Sequence, residues 1–219
     1  MKIVSFGDVH MAISYMQKIA VELASADLLI LSGDLTHFGG TTEVAQVIQA
    51  ARGHCANVLA LPGNVDKPEV IDFLRTEQVG LHGESRLLGE IGVFGCGGSN
   101  MTPFHTPLEY REEELGALLD RAYSGVMDAP IQVMVCHTPP HATLLDRLAN
   151  GTPVGSPTVR DFIERHQPHL CITGHIHESS GVDFVGRTKI LNAGPFAAGG
   201  YIVAWENQGA LDAQLRFIE

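Results

Sequence analysis

Short apolar runs punctuate the chain at residues 3–6, 28–31, 58–61, 131–135 and 170–173, each closed by Gly, Pro or a polar residue. Runs of this length and closure predict buried strands. Between the early runs the apolar positions follow helical spacing. Met16, Ile19, Ala20 and Leu23 share one helix face, Val44, Val47, Ile48 and Ala51 a second, and Val70, Phe73 and Leu74 a third. Strand and helix in alternation predict parallel strands with crossover helices. From about Gly80 the runs shorten, and residues 86–88 and 91–94, joined at Gly89-Glu90, predict a hairpin. The acidic stretch 109–114 predicts the start of a helix through Leu115, Leu118 and Leu119, its carboxylates complementing the helix dipole. Ser156-Pro157 predicts another, with Ser at the N-cap and Pro at the first helical position. Beyond His177 the segments 182–185, 189–192, 201–205 and 211–217 read as antiparallel strands. The expected fold is α/β, with two packed mixed β-sheets forming a β-sandwich flanked by α-helices, in a single domain over residues 1–219.

Composition narrows the partners. With 219 residues and 45% hydrophobic content the chain can bury one sizeable core, and no stretch resembles a linker. A net charge of −11, with only 14 Lys and Arg scattered along the chain, argues against extended nucleic acid as a partner. No apolar stretch reaches the ~18 residues of a membrane span, and no secretory leader pattern is present. Cys55, Cys96, Cys136 and Cys171 lack Cys-x-x-Cys spacing and read as buried free thiols of a reducing cytoplasm.

The candidate chemistry lies where the apolar runs end. Asp8 and His10, Asp34, Asn64, His137, and His175 and His177 all follow a predicted strand. In open α/β sheets, ligands bind beyond the carboxyl ends of strands. Asp8 and His10, like His175 and His177, stand two residues apart, which in extended backbone points both side chains the same way. Glycine precedes a ligand at Gly7, Gly33, Gly63 and Gly174, where a side chain would obstruct a tight turn. Mixed carboxylate, imidazole and amide oxygen donors suit Mn, Fe, Zn, Co or Ni.

In order and rough spacing, Asp8-Val9-His10, Gly33-Asp34, Gly63-Asn64, His137 and Gly174-His175-Ile176-His177 resemble the motifs of the calcineurin-like metallophosphoesterases. The resemblance covers about residues 1–200 and points to the small prokaryotic phosphodiesterase branch. A shorter similarity, Gly174 to Glu178 with Asn192-Ala193-Gly194, is to the MPPED-like branch, which acts on cyclic nucleotides. The family resemblance implies a β-sandwich flanked by helices and two divalent metal ions. It assigns one ion to Asp8, His10, Asp34 and His177 and the other to Asp34, Asn64, His137 and His175, bridged by Asp34 and a hydroxide that attacks the phosphorus in line.

One departure bears on the substrate. Family members with strong monoesterase activity carry a His after the Asn, whereas this chain reads Gly63-Asn64-Val65-Asp66. Valine cannot protonate a leaving group, so the expected substrate is a small phosphodiester. His37, three residues after Asp34, is a candidate for the missing acid, and His105 and His141, in Pro-rich loops, are candidates for substrate contact beside Asn64. His54, His82, His166 and His169 read as ordinary structural histidines. Residues 95–100 read as a tight loop at the site, Asp66 as a support for a ligand, and Gly194 as a point of close backbone approach. The alternatives are a metal-binding protein-interaction scaffold with vestigial activity, which metal content tests, and a phosphomonoesterase or nuclease of the same superfamily. The sequence leaves the oligomeric state open.

Overall fold

Strands that are apolar on both faces must be covered on both sides. The computed structural model of the protein, described here for residues 1–218, meets that demand with four layers. Strands β1 (Lys2–Phe6), β2 (Leu28–Ser32) and β3 (Val58–Leu61) alternate with helices α1 (Ser14–Lys18), α2 (Ala20–Ala24) and α3 (Thr41–Arg52), and α4 (Glu69–Thr76) follows β3. The hairpin β4 (Glu84–Leu88) and β5 (Ile91–Cys96) precedes two short strands, β6 (Ser99–Asn100) and β7 (Glu109–Tyr110). Helix α5 (Glu112–Ser124), β8 (Ile131–Cys136), α6 (Pro157–His166) and β9 (Leu170–Thr173) come next. Strands β10 (Gly181–Val185), β11 (Thr188–Asn192), β12 (Gly200–Asn207) and β13 (Ala210–Phe217) complete the described chain.

One sheet has the order β13-β12-β1-β2-β3 and the other β10-β11-β9-β8-β5-β4. Period-two alternation divides their side chains between cores. Leu29 and Leu31 pack with Met16, Leu23, Val47 and Leu74 under the first helices, while Leu28 and Ile30 point the other way and meet Val133 and Ile172 between the sheets. Phe94, Met134 and Cys171 pack under α5 and α6 with Leu119 and Phe162. All four cysteines are buried free thiols. No helix among the described residues is long and apolar enough to cross a membrane.

Three local expectations change. The helix expected through Met16 and Leu23 is two short helices meeting at Ile19, where φ is −115° and ψ 24°; no Pro or Gly marks the break. The acidic stretch divides: Glu109 and Tyr110 are extended, and helix α5 begins only at Glu112, after Arg111 N–H donates to Glu114 Oε2 at 2.8 Å. The late strands pair antiparallel within each hairpin, and β12 also with β1, but β11 pairs parallel with β9 and the β12–β13 hairpin belongs to the other sheet. The hairpin at Gly89-Glu90 forms in the expected register, Leu88 opposite Ile91.

Helix α6 starts as its sequence requires. Ser156 Oγ accepts from Val159 N–H at 3.1 Å and donates to Glu112 Oε2 at 2.5 Å, so one hydroxyl caps α6 and joins it to the first turn of α5. Ser156→Ala removes both bonds and should lower the unfolding free energy by about 1–2 kcal/mol. Urea denaturation should show a lower midpoint with an unchanged slope.

Candidate metal centre

The parallel strands of the two sheets end on one another's flank, and the loops that follow them are tied together by backbone. Asp8 N–H donates to Gly33 O at 2.9 Å and His10 N–H to Asp34 O at 2.9 Å. From the end of β9 in the other sheet, His175 N–H lies 3.2 Å from both Asp8 carboxylate oxygens, and from the β11–β12 connection Phe196 N–H donates to Asp8 O at 3.1 Å. The expectation of extended backbone at these ligands fails. Asp8, His10, Asp34 and His175 have φ of 47°, 44°, 45° and 68°, in the left-handed region. The chain leaves each strand by a sharp turn, and it is this reversal that converges the side chains. Asp and His are among the non-glycine residues that tolerate the conformation best.

Asp8, His10, Asp34 and His177 offer ligand atoms that all lie within 4.8 Å of one another and could hold a metal ion. His177 Nε2 is 3.1 Å from Asp8 Oδ1, and the Nε2 atoms of His10 and His177 face each other at 3.3 Å. Two imidazole nitrogens aimed at each other fit a shared cation. The remaining candidates gather on the other side of Asp34: His137 Nε2 is 3.4 Å from Asp34 Oδ2 and 3.3 Å from Asn64 Oδ1, and the His175 ring lies 5.4 Å from that of His137. Carbonyl oxygens orient both inner imidazoles, Thr36 O at 3.2 Å from His10 Nδ1 and Ser32 O at 2.9 Å from His137 Nδ1. Such bonds leave Nε2 free to bind a cation.

Charge at the centre is strongly perturbed. Burial works to raise the Asp34 carboxyl, but the His137 charge and hydrogen bond outweigh it and bring it to about 2. Burial works to lower His137, yet Asp34 pushes it up to about 9. Burial takes His175 the other way, to about 4, with the His137 charge adding to the effect. The glycines are required by space. A Cβ on Gly63 would overlap Asp34 Oδ1, and one on Gly33, whose φ is 109°, would overlap the His137 ring. Asp66, fully buried, accepts from the N–H groups of Leu35, Thr36 and Gly63 at 2.9–3.0 Å and from Thr36 Oγ1 at 2.7 Å. It thus fastens the Asp34 and Asn64 loops together. Burial and the Asp34 charge raise its carboxyl to about 6.

The outer candidates occupy different places. The exposed ring of His37 stacks on His10, centroids 4.4 Å apart. His141 lines a cleft together with His175 and His177, its Nδ1 3.6 Å from the buried Asp146 carboxylate. His105 is exposed at φ 52° and does not line that cleft. Gly194, with φ 71°, packs close to Ser180 and to the backbone carbonyl of His177. Residues 95–100 close against the centre, since His137 N–H donates to Cys96 O at 3.1 Å. His82 and His169 accept from backbone N–H groups, Gly97 at 3.0 Å and Gln132 at 3.2 Å.

Sequence reasoning overlooked Glu109 and Thr106. Asn64 Nδ2 donates to Thr106 Oγ1 at 3.0 Å, and Thr106 Oγ1 donates to Glu109 Oε1 at 2.7 Å. This relay fixes the Asn64 amide with its oxygen toward His137. Burial works to raise the Glu109 carboxyl, but hydrogen bonds from Thr102 and Thr106 bring it to about 2. The signal was masked because Glu109 heads an acidic run that otherwise serves a helix start.

Residues 1–179 match the calcineurin-like phosphoesterase family. An uncharacterized protein of Methanocaldococcus jannaschii is 36% identical over 199 residues, covering 89% of this chain and 88% of that protein. The crystal structure of the Thermus thermophilus protein TT1561 shares the fold at a TM-score of 0.74 and 18% identity, covering 100% of this chain and 99% of the other. Purple acid phosphatase PPD1 from yellow lupin seeds shares it at 0.63 and 12% identity, covering 99% of this chain and 51% of the other. With its two helix-flanked mixed sheets and its cluster of potential metal ligands, the chain belongs to the calcineurin-like phosphoesterase family of metal-dependent phosphoric ester hydrolases.

Proposed function

We propose that the protein is a dinuclear phosphodiesterase acting on a small diester, with Asp8, His10, Asp34 and His177 holding one divalent ion and Asp34, Asn64, His137 and His175 the other. The position of Asp34 supports this most: its Oδ2 is 3.9 Å from His10 Nε2 on one side and 3.4 Å from His137 Nε2 on the other. Manganese, iron, zinc, cobalt and nickel all suit this donor set. When bound, such ions supply positive charge for the phosphoryl oxygens and acidify water for an in-line displacement. Asp8 and Asp34 offset only part of that charge, so the pocket attracts an anionic ester although the chain carries −11 overall.

The preference for a diester rests on Val65. Its N–H donates to Asp34 Oδ1 at 3.0 Å, and its side chain has no proton to give. Protonation of a poor leaving group then falls to His37, held beside the centre by its stack on His10. Asn64 and His141 contact the substrate, and His105 meets it only at the rim.

With Mn²⁺, bis(4-nitrophenyl) phosphate should be hydrolysed at least about 10-fold faster than 4-nitrophenyl phosphate, and Asp34→Asn or His137→Ala should each cost more than about 100-fold. Equal turnover of the monoester would remove the diester preference, and full activity in either variant would remove the metal assignment. His37→Ala should slow an alkyl diester by about 10²–10⁴-fold and 4-nitrophenolate release far less, because only the poor leaving group needs a proton. A loss independent of the leaving group would exclude His37 as the acid.

Metal entry should also release a proton. His137 is protonated up to about pH 9 in the metal-free protein, so a ligating cation displaces that proton at pH 7.5. Apparent affinity should therefore rise with pH, by up to about tenfold per unit, and level off above about pH 9. Titration calorimetry in buffers of different ionisation enthalpy counts the proton; a pH-independent affinity between 6.5 and 8.5 would contradict the assignment.

A further inference from the structure

Beside the candidate centre a cleft of about 650 Å³ shares His175 and His177 with it. Its other walls include Phe104, Leu148, Val154 and Ile176. Among the described residues no Lys or Arg lines it, and its one carboxylate, Glu178, accepts from Ala149 N–H at 3.2 Å. A second phosphate or carboxylate on the substrate would thus find no Lys or Arg there to receive it. An apolar group would be removed from water.

Phe104 makes the cleft more than a gap between loops. Its side chain is 82% exposed, yet its backbone is fastened: Phe104 N–H donates to Thr102 Oγ1 at 3.1 Å, and that hydroxyl donates to Glu109 Oε1 at 2.5 Å. An aromatic ring presented to solvent from an anchored backbone has lost part of its ordering cost before any ligand arrives. On the facing side, the carboxylate of Asp146 holds the chain from His141 to Gly155, accepting from Ala142 N–H at 2.9 Å, Thr143 N–H at 3.0 Å and Gly155 N–H at 3.1 Å. Both walls are therefore built, and both meet at the histidines proposed as ligands.

We propose that this cleft is the specificity subsite for one ester group of the substrate, and that it takes an uncharged apolar substituent, aryl or alkyl. The assignment rests on the phosphodiesterase reading of the metal centre and names its substrate class. A diester with one apolar arm seats its phosphoryl group at the ligand cluster and its arm against Phe104, Leu148 and Val154. A substrate whose arm carries a further anion is disfavoured.

Two non-hydrolysable anions test this without turnover. Diphenylphosphinate and dimethylphosphinate present the same charged centre and differ only in their apolar arms. Calorimetry on the Mn²⁺-loaded protein should show the diphenyl compound bound about 10–100-fold more tightly, the gain expected from burying one phenyl ring. Phe104→Ala and Val154→Asp should each shrink that ratio at least about threefold, whereas Val21→Ala, at a surface residue outside the cleft, should preserve it. Equal binding of the two anions, or an undiminished ratio in both cleft variants, overturns the subsite and leaves the phosphodiesterase reading standing. Binding of neither anion, together with no diester hydrolysis, overturns both.

Discussion

The Asp34 carboxylate is 3% exposed, yet it accepts from one backbone donor, the Val65 N–H at 3.0 Å, so the rest of its charge must be met by groups brought from elsewhere. Meeting it takes both sheets. His10 arrives from the loop after β1, in the same sheet as Asp34, whereas His137 arrives from the end of β8 in the other. A buried charge left without such partners is expensive. The packing of one sheet on the other and the neutralisation of this carboxylate are therefore one requirement. The glycines before the ligands serve it too, since a side chain on Gly63 would occupy the space of the carboxylate itself.

Much of this was legible because burial on both faces leaves a plain trace. Continuous apolar runs such as Leu28 to Leu31 predicted two-faced strands, and the polar residue ending each run marked the edge where the candidate ligands collect. The Ser156-Pro157 cap was equally plain, because its chemistry is local. What escaped depends on partners far along the chain. The pairing of β11 with β9 is set by sheet order, not by the hairpin next to it. The role of Glu109 depends on Thr102 and Thr106, which fold back on it through the loop that precedes it. The left-handed backbone at Asp8, His10 and His175 was hidden because side chains two residues apart converge in extended chain as well.

Those left-handed positions narrow what each candidate ligand can be. A metal ligand on extended backbone is constrained by donor chemistry alone. Here Asp8, His10, Asp34 and His175 must also accept a positive φ, which β-branched residues resist. Donor type and turn geometry thus select the same short list of residues at each position. Backbone bonds between the loops, such as His10 N–H to Asp34 O, hold the strained turns in place.

The hydrogen-bond chain from Asn64 through Thr106 to Glu109 does not stop at the metal side. Through Thr102 it continues to the Phe104 N–H at the lip of the cleft. One carboxylate therefore anchors both an amide beside the candidate metal centre and an aromatic wall of the cleft. Loop variation between relatives is usually free to retune recognition while the scaffold keeps its chemistry. In this molecule that separation is lost: a change of residue 109 that reshapes the lip also unlatches the Asn64 amide. On the proposed reading, the shape of the cleft and the hold on metal depend on this one carboxylate and change together.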